Sequence, residues 1–483
     1  MVHPKNAPPM LTCTPLEQKC VLLAATLASF LSPYIASSVN IALPLIGKEF
    51  ASDTVLLGWI PTTYLLTSAV LLIPFGRLAD LYGMRKIFIS GIGIYTLAAG
   101  FSGFANSVSM LIACQILAGV GGAMIYATAV ALLTAVFPGN ERGRVLGINV
   151  SAVYIGLSAG PFLGGIIAQA FGWRSIYLSI VPLGFVALFL SASLKLEKGN
   201  EIKSSRNNNK SGAEQKEQPE KFDSLGAFIY GCMLFSLIYG LSLIPKRAGA
   251  YLLGIGFVAF LGFLRQELKT PSPVLNLQLF KENQTYSLSN LAALINYSAT
   301  AAVSFLLSLY LQYNRGLSPL EAGSVLVAQP VVMALFSPFA GRLSDKVEPR
   351  IVASTGMGLA AFCLFIFTFL TEETPIKDIT LVLMVLGLGF ALFSSPNTNA
   401  IMSSVERKYY GIASGTMGTM RLIGQMLSMG LSMMIFSIII GRVELTPEYH
   451  VELLTSVHTA FSLFAFLCFI GIFASLGRGR VRA

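Results

Sequence analysis

Charge is scarce in this sequence. Only 12% of its 483 residues are Asp, Glu, Lys or Arg, against about 25% in soluble domains. That scarcity excludes an ordinary water-soluble globule of this size. Tryptophan (two) and histidine (three) are scarcer still. His3, His450 and His458 are too scattered for a histidine-based active site. Of the six cysteines, Cys114, Cys232, Cys363 and Cys468 fall inside apolar runs, and Cys13 and Cys20 have no histidine nearby. No disulfide framework and no metal site are expected. The phosphate loop G-x-x-x-x-G-K-[ST] is missing, which argues against ATP-driven work. No cofactor and no enzymatic activity are expected.

What the chain does have is apolar length. Hydrophobic residues make up 54% of it, with 45 Gly and 33 Phe. Runs of about 18 or more apolar residues read as membrane helices. Fourteen are expected, at 19–45, 55–76, 87–106, 109–137, 144–170, 174–194, 223–244, 249–267, 286–312, 322–341, 351–370, 379–403, 410–440 and 457–477. The first run, Val21 to Leu45, is too long for a signal-peptide core of about 7–15 residues, so it reads as a retained helix. An even count puts both termini on one side. Most of the 33 Lys and Arg fall on that side; the other face holds only Lys48, Arg174, Lys246, Arg247, Arg315, Lys377 and Arg442. Cytoplasmic loops carry the basic excess. Both termini are therefore expected in the cytosol, in a multi-pass protein of the cell membrane. The net charge of +10 reports membrane orientation, and no nucleic acid is expected. Residues 195–222 are almost wholly polar and read as a flexible cytoplasmic linker, a tether with a regulatory role as the alternative.

The chain repeats itself. GRLADLYGMRK at 76–86 returns as GRLSDKVEPR at 341–350. Gly76 and Gly341, Arg77 and Arg342, Asp80 and Asp345, and Glu141 and Glu406 are all 265 positions apart. One shift aligning two separate loops points to an internal duplication. The expected division is a six-helix bundle at 1–194, the linker at 195–222, two inserted helices with their connection at 223–283, and a second six-helix bundle at 284–483. Two such bundles related by an axis along the membrane normal are one architecture of secondary transporters, with the substrate site between them near the midplane.

The loop phrase resembles the cytoplasmic signature of the major facilitator superfamily, through Gly76, Leu78, Asp80, Gly83, Arg85 and Lys86. GLSAGPFLGG resembles the antiporter helix signature, through Gly156, Gly160, Pro161, Gly164 and Gly165. VNIALP (39–44), GWRSIY (172–177) and YLQYNRGLSPLEAG (310–323) are similar to the fourteen-helix drug:proton antiporter branch. The resemblance implies an all-α membrane fold of two six-helix bundles related by a pseudo-twofold axis, plus two inserted helices. It also implies gating by the loop phrases Gly76–Lys86 and Gly341–Asp345. The plainer reading of those charges is a positive-inside anchor, though an anchor needs neither the Asp nor the Gly spacing. Physically, Gly83 suits a tight turn, and Gly156, Gly160 and Gly164 form one stripe that admits a close neighbour helix. GLSAG also fits the hydrolase nucleophile elbow, but it sits inside an apolar helix with no His-Asp partners.

Two charges usual in that branch are missing. The helix-1 acid is Ile35 and the helix-4 Arg is Gln115. No other acid falls at mid-membrane, and Glu321 is the best substitute as a proton-coupling group. Arg421 is the one basic residue inside a span, which by default marks function. Asn40, Gln115, Tyr126, Tyr154, Glu321, Arg421 and Gln425 are the candidate substrate or coupling residues; Asn296, Tyr297, Gln312 and Asn397 are further polar candidates for the cavity. Each one taken alone is also explained by a helix–helix hydrogen bond. The expected function is export of amphipathic or drug-like small molecules by alternating access, as a monomer in the bilayer, with protons as the candidate coupling ion. A dedicated exporter of a metabolite or lipid without proton coupling is the alternative, and a non-transporting receptor or scaffold is the remote one.

Overall fold

The computed structural model describes residues 14–137, 139–192, 223–270, 277–344, 346–406 and 410–479. Secondary structure among them is helical. The first half runs α1 (Pro15–Phe50), α2 (Thr54–Tyr82), α3 (Met84–Ser102), α4 (Val108–Val136), α5 (Gly139–Phe171), α6 (Arg174–Ser179) and α7 (Val181–Ala192). Next come α8 (Ser224–Leu243), α9 (Arg247–Glu267) and the short α10 (Leu277–Glu282). The second half runs α11 (Gln284–Thr300), α12 (Val303–Leu309) with a π turn at Tyr310–Asn314, α13 (Pro319–Leu326), α14 (Ala328–Ser344), α15 (Pro349–Phe367), α16 (Ile376–Ser403), α17 (Tyr410–Ile439) and α18 (His450–Gly477). Thirteen segments are long and apolar enough to cross a membrane. The nineteen-residue α3 completes the fourteen; it opens with Arg85 and Lys86 and is less apolar for it. Lipid offers the backbone no hydrogen bonds, so helices this long are what such a sequence can form there.

Helix ends follow local chemistry. Thr14 and Glu17 close a capping box, which starts α1 four residues before the expected boundary. Asp53 and Ser107 cap α2 and α4 through their side chains. Gly83 takes φ +97 between α2 and α3, where a side chain would be strained. Three expected spans are broken rather than continuous. Pro182 and Pro330 cannot donate to the carbonyls of Leu178 and Leu326, and the helices divide there into α6–α7 and α13–α14. The third break falls at Ala301 and Ala302, between α11 and α12, and a π turn ends that span.

The duplication is visible in the packing. α3 crosses α4 where Gly91 meets the Gly121 carbonyl and Ile125 N; α15 crosses α16 where Gly356 meets the Gly389 carbonyl and Phe393 N. Gly91 and Gly356 keep the 265 offset, while Gly121 and Gly389 are 268 apart. The second repeat therefore gains three residues in the turn after α15 and loses them again before Glu406. The linker at 195–222 lies outside the described residues, as does Asp345.

Within the first half, α1 packs along α5. Gly156 lies under Phe30 and Tyr34, Gly160 under Tyr34 and Ser37, and Gly164 under Ser38. Ser38 Oγ donates to the Gly160 carbonyl at 2.9 Å. The predicted glycine stripe is thus the α1–α5 seam. The inserted α8 and α9 meet through Gly240 and Gly249, and α8 lies against α2 and α17. An apolar cavity of about 270 Å³ remains between α8, α9 and α17, among Met233, Phe263 and Met420.

A Cβ at Gly160 would sit 2.8 Å from the Tyr34 carbonyl, whereas one at Gly147 meets nothing within 4 Å. Gly160→Val is expected to cost about 1–3 kcal/mol through overpacking. Gly147→Ala is expected to stabilise by up to about 1 kcal/mol through helix propensity. Thermal unfolding in detergent checks both; equal transition temperatures would refute the seam.

Candidate functional site

The two halves touch unevenly. At one end, polar side chains of α12 and the π turn reach the last turns of α1. Ser308 Oγ donates to the Asn40 carbonyl at 2.6 Å, Gln312 Nε2 to the Ile41 carbonyl at 2.9 Å, and Tyr313 to the Pro44 carbonyl at 3.3 Å. Beside them α5 meets α13 backbone to backbone. Gly165 lies against Pro319 and Leu320, and Gly323 lies on the Pro161 carbonyl. Gln169 accepts from Leu320 N at 3.3 Å. This end also holds Glu49, which binds Arg174 at 2.6 Å and Trp173 Nε1 at 2.7 Å, fastening α1 to α6.

The opposite end, which carries the start of α1 and the end of α18, is looser. At the start of α5, Arg144, Gly147, Ile148, Ser151 and Ile155 are exposed; at the start of α17, Ile412, Ser414 and Gly415 are exposed. The α2–α17 crossing shows the same gradient. Gly58 is packed tightly under Met433 at the closed end, while Gly418 meets only Leu72 toward the loose end.

Arg421 sits in the middle of α17, between these ends. Its guanidinium carbon lies 5.5 Å from the centre of the Tyr297 ring, within cation–π range. Gly424, one turn on, lets α17 press against α11 beside Tyr297 and so sets this approach. Tyr126, Tyr154 and Tyr64 are the other ionisable neighbours of Arg421. Ser32 Oγ hydrogen-bonds both Tyr64 and Tyr126, the latter at 3.2 Å. Gln425 lies one turn from Arg421 on the same helix face and is half-buried. Tyr126 and Tyr154 of the first half therefore lie near Arg421 of the second. Tyr64 and Ser32 join them; nothing in their sequence spacing set them apart from ordinary helix residues.

Other candidates stand elsewhere. Glu321 is corrected: its carboxylate accepts from Ser318 N and Oγ, both at 2.8 Å, as the second partner of an exposed capping box. It is not a cavity acid. Gln115 is also corrected: it is buried and donates to the Tyr177 hydroxyl at 3.0 Å, inside the first half. Asn40 and Gln312 belong to the closed end. Asn397 is tied to Arg478, which is fully buried after α18 and also reaches Ser289, Ser475 and the Pro349 carbonyl. Arg478 counts in sequence as a surface charge. Burial pulls its guanidinium down to about 10, against the field of Glu348. Asn296 is buried, with no hydrogen-bond partner for its amide. Ile35 is buried in α1.

In the loop phrases, Arg85 donates to the Ala192 carbonyl at 3.1 Å and so ties α3 to α7 within one half. Lys86 and Arg342 are exposed, and Gly76 and Gly341 lie in the last turns of α2 and α14. Asp80 lies in the last turn of α2. No group of three or more metal-ligating side chains occurs among the described residues.

Comparison with known proteins agrees with this architecture. The Major Facilitator Superfamily profile matches residues 25–276 and 290–481. The chain is 30% identical over 467 residues to the riboflavin transporter RibZ of Clostridioides difficile (strain 630), covering 95% of this chain and 97% of that one. It is 28% identical to the multidrug resistance protein Stp of Mycobacterium tuberculosis (strain CDC 1551 / Oshkosh), covering 90% of this chain and 78% of that one. Among solved structures, a bacterial homolog of the human lysosomal transporter Spinster, inward-facing and unoccupied, superposes with a TM-score of 0.68 at 16% identity, covering 96% of this chain and 98% of that one. Two helical repeats, the membrane-spanning segments described above and a match across nearly the whole length lead to one conclusion: the chain belongs to the major facilitator superfamily.

Proposed function

We propose that the protein exports amphipathic small molecules across the cytoplasmic membrane by alternating access. The observation that carries this reading is the unequal closure of the halves around the Arg421 site. The excess of Lys and Arg in the loops assigns the loose end, with both termini, to the cytosol. A site closed outward and loose inward can load from the cytosol, and a relative named a multidrug resistance protein favours the outward direction. The tyrosines that line it, with Arg421 and Gln425, offer aromatic faces and hydrogen-bond donors to a mixed polar and apolar guest. The chain works as one unit of two six-helix bundles at 1–194 and 284–483, with 195–222 and 223–283 as tether and insert.

The loop phrases act as the inner latch in this reading. Arg85, free to leave Ala192, engages when the inner end closes. The glycines at 156–165 and Gly323 form the outer seal, because they let α5 and α13 meet backbone to backbone.

A specific observation favours a second substrate reading. The 30% identical relative over 95% of the chain is named a riboflavin transporter. An aromatic metabolite is then the guest in place of varied drugs.

Everted vesicles test both. Uptake of ethidium above that of vesicles lacking the protein supports the drug reading, and uptake of riboflavin alone supports the metabolite reading. Uptake of none of ethidium, riboflavin and the anionic dansylglycine, with the protein present and folded, refutes export.

The seal gives a separate prediction. Gly323→Val would push against the Pro161 carbonyl and disfavour the outward-closed state. Overpacking of about 1–3 kcal/mol corresponds to about fivefold to 150-fold in the conformational equilibrium. A single cysteine at Ser151, with the native cysteines replaced, should be labelled about tenfold more slowly from the cytosolic side in that variant. Unchanged labelling refutes the seal.

Glu321→Gln is expected to leave the transport rate and its response to a pH gradient unchanged, because Gln also serves in a capping box. Loss of gradient-driven flux in this variant would return Glu321 to the coupling role.

A further inference from the structure

Arg421 is the one Lys or Arg in the middle of a membrane-spanning helix among the described residues. Every described Asp and Glu lies at a helix end or in a loop. Among the described residues Arg421 has no carboxylate within ion-pair distance, and its close partner is the Tyr297 ring. Neutral tyrosines offer dipoles and ring faces but no countercharge. A guanidinium carries five N–H donors in a planar fork matched to a carboxylate or phosphate. An unpaired charge in a low-dielectric surrounding is costly, and such charges are ordinarily paired. Here none of the described residues pairs it.

We infer that the missing countercharge is carried by the substrate: the site takes an aromatic organic anion whose acidic group pairs with Arg421 and whose ring packs among Tyr297, Tyr154 and Tyr126. This rests on the export reading above and narrows it to one charge class. The guanidinium accepts the anion through two parallel hydrogen bonds, which are stronger than neutral ones. The hydroxyls of Tyr126 and Tyr154 lie on the first half and Arg421 on the second, so one guest bridges both bundles. Binding neutralises the cavity. The loaded carrier then moves no net charge through the rocking step, whereas the empty one moves an unpaired cation. Exchange of one anion for another is therefore favoured over return of the empty site. No proton is needed, in keeping with Ile35 at the position of the branch's usual acid.

Three probes with one fluorophore separate the charge classes: dansylglycine (anion), dansylamide (neutral) and dansylcadaverine (cation). Each is titrated onto the full chain in phosphatidylcholine nanodiscs, with empty nanodiscs as the blank. Dansylglycine is expected to bind about tenfold or more tightly than dansylamide, since hydrogen bonds to a charged group contribute about 1.5–3 kcal/mol. Dansylcadaverine is expected to bind weakest. Arg421→Gln should collapse the anion preference to about one, and Arg421→Lys should retain part of it. Equal or tighter binding of the cation overturns the inference and leaves the export reading standing, as does an anion preference that survives in R421Q. Binding of none of the three overturns both. Should R421Q fail to fold, the ranking in the unmutated protein decides.

Discussion

The structure depends on backbones that come closer than side chains allow. α5 touches α1 on one side through Gly156, Gly160 and Gly164, and α13 on another through Gly165 and Gly323. The first seam lies within a half and the second between halves. They have different mechanical meanings. The α1–α5 seam must hold through every state, so its hydrogen bond from Ser38 to the Gly160 carbonyl adds permanence. In the proposed cycle the α5–α13 seam opens, and it carries little beyond van der Waals contact and one bond from Leu320 N to Gln169. Apolar burial separates membrane helices weakly from lipid, so small residues and a few hydrogen bonds decide which surfaces part.

Much of this fold was legible in the sequence, for a physical reason. Spans of about 20 apolar residues have one stable form in lipid, and the pairs Asp80/Asp345 and Glu141/Glu406 exposed the repeat. The breaks at Pro182 and Pro330 were less legible. Proline is tolerated in membrane helices, and whether it bends or divides one depends on neighbours that can satisfy the freed carbonyl. The three-residue drift between Gly121 and Gly389 was hidden because it is undone before Glu406. The structure shows it as two matching glycine crossings.

The site was half legible. Arg421, Tyr126, Tyr154 and Gln425 stood out as polar residues in apolar helices, and the two tyrosines lie near Arg421. Gln115 and Asn397 stood out by the same rule and instead satisfy Tyr177 and Arg478 inside their own halves. A polar residue in a span must find a partner, but its sequence does not say whether the partner is a helix or a guest. Glu321 shows the converse. Its spacing from Ser318 is that of a capping box, and that local pattern outweighed its nearness to a span. Arg478 misled for a third reason. The loop charge rule counts it as exposed, whereas tight packing of α18 on α11 and α15 buries it.

Closure at one end and one unpaired charge at the centre bear on the same question. A carrier that rocks must avoid leaking ions through its middle, and a fixed cation repels small cations while the cavity is empty. In a carrier with a mid-membrane acid, a proton can neutralise the site for the return step. Here the described spans hold no such acid, and a guanidinium cannot shed its charge at physiological pH. Only a bound group of opposite sign, or water reaching the site, lowers the cost of Arg421. The sign of that charge therefore constrains guest and coupling together. With Ile35 and Gln115 at the positions of the branch's usual acid and base and Arg421 retained, the charge that remains in the described spans is the one the proposed anion would pair.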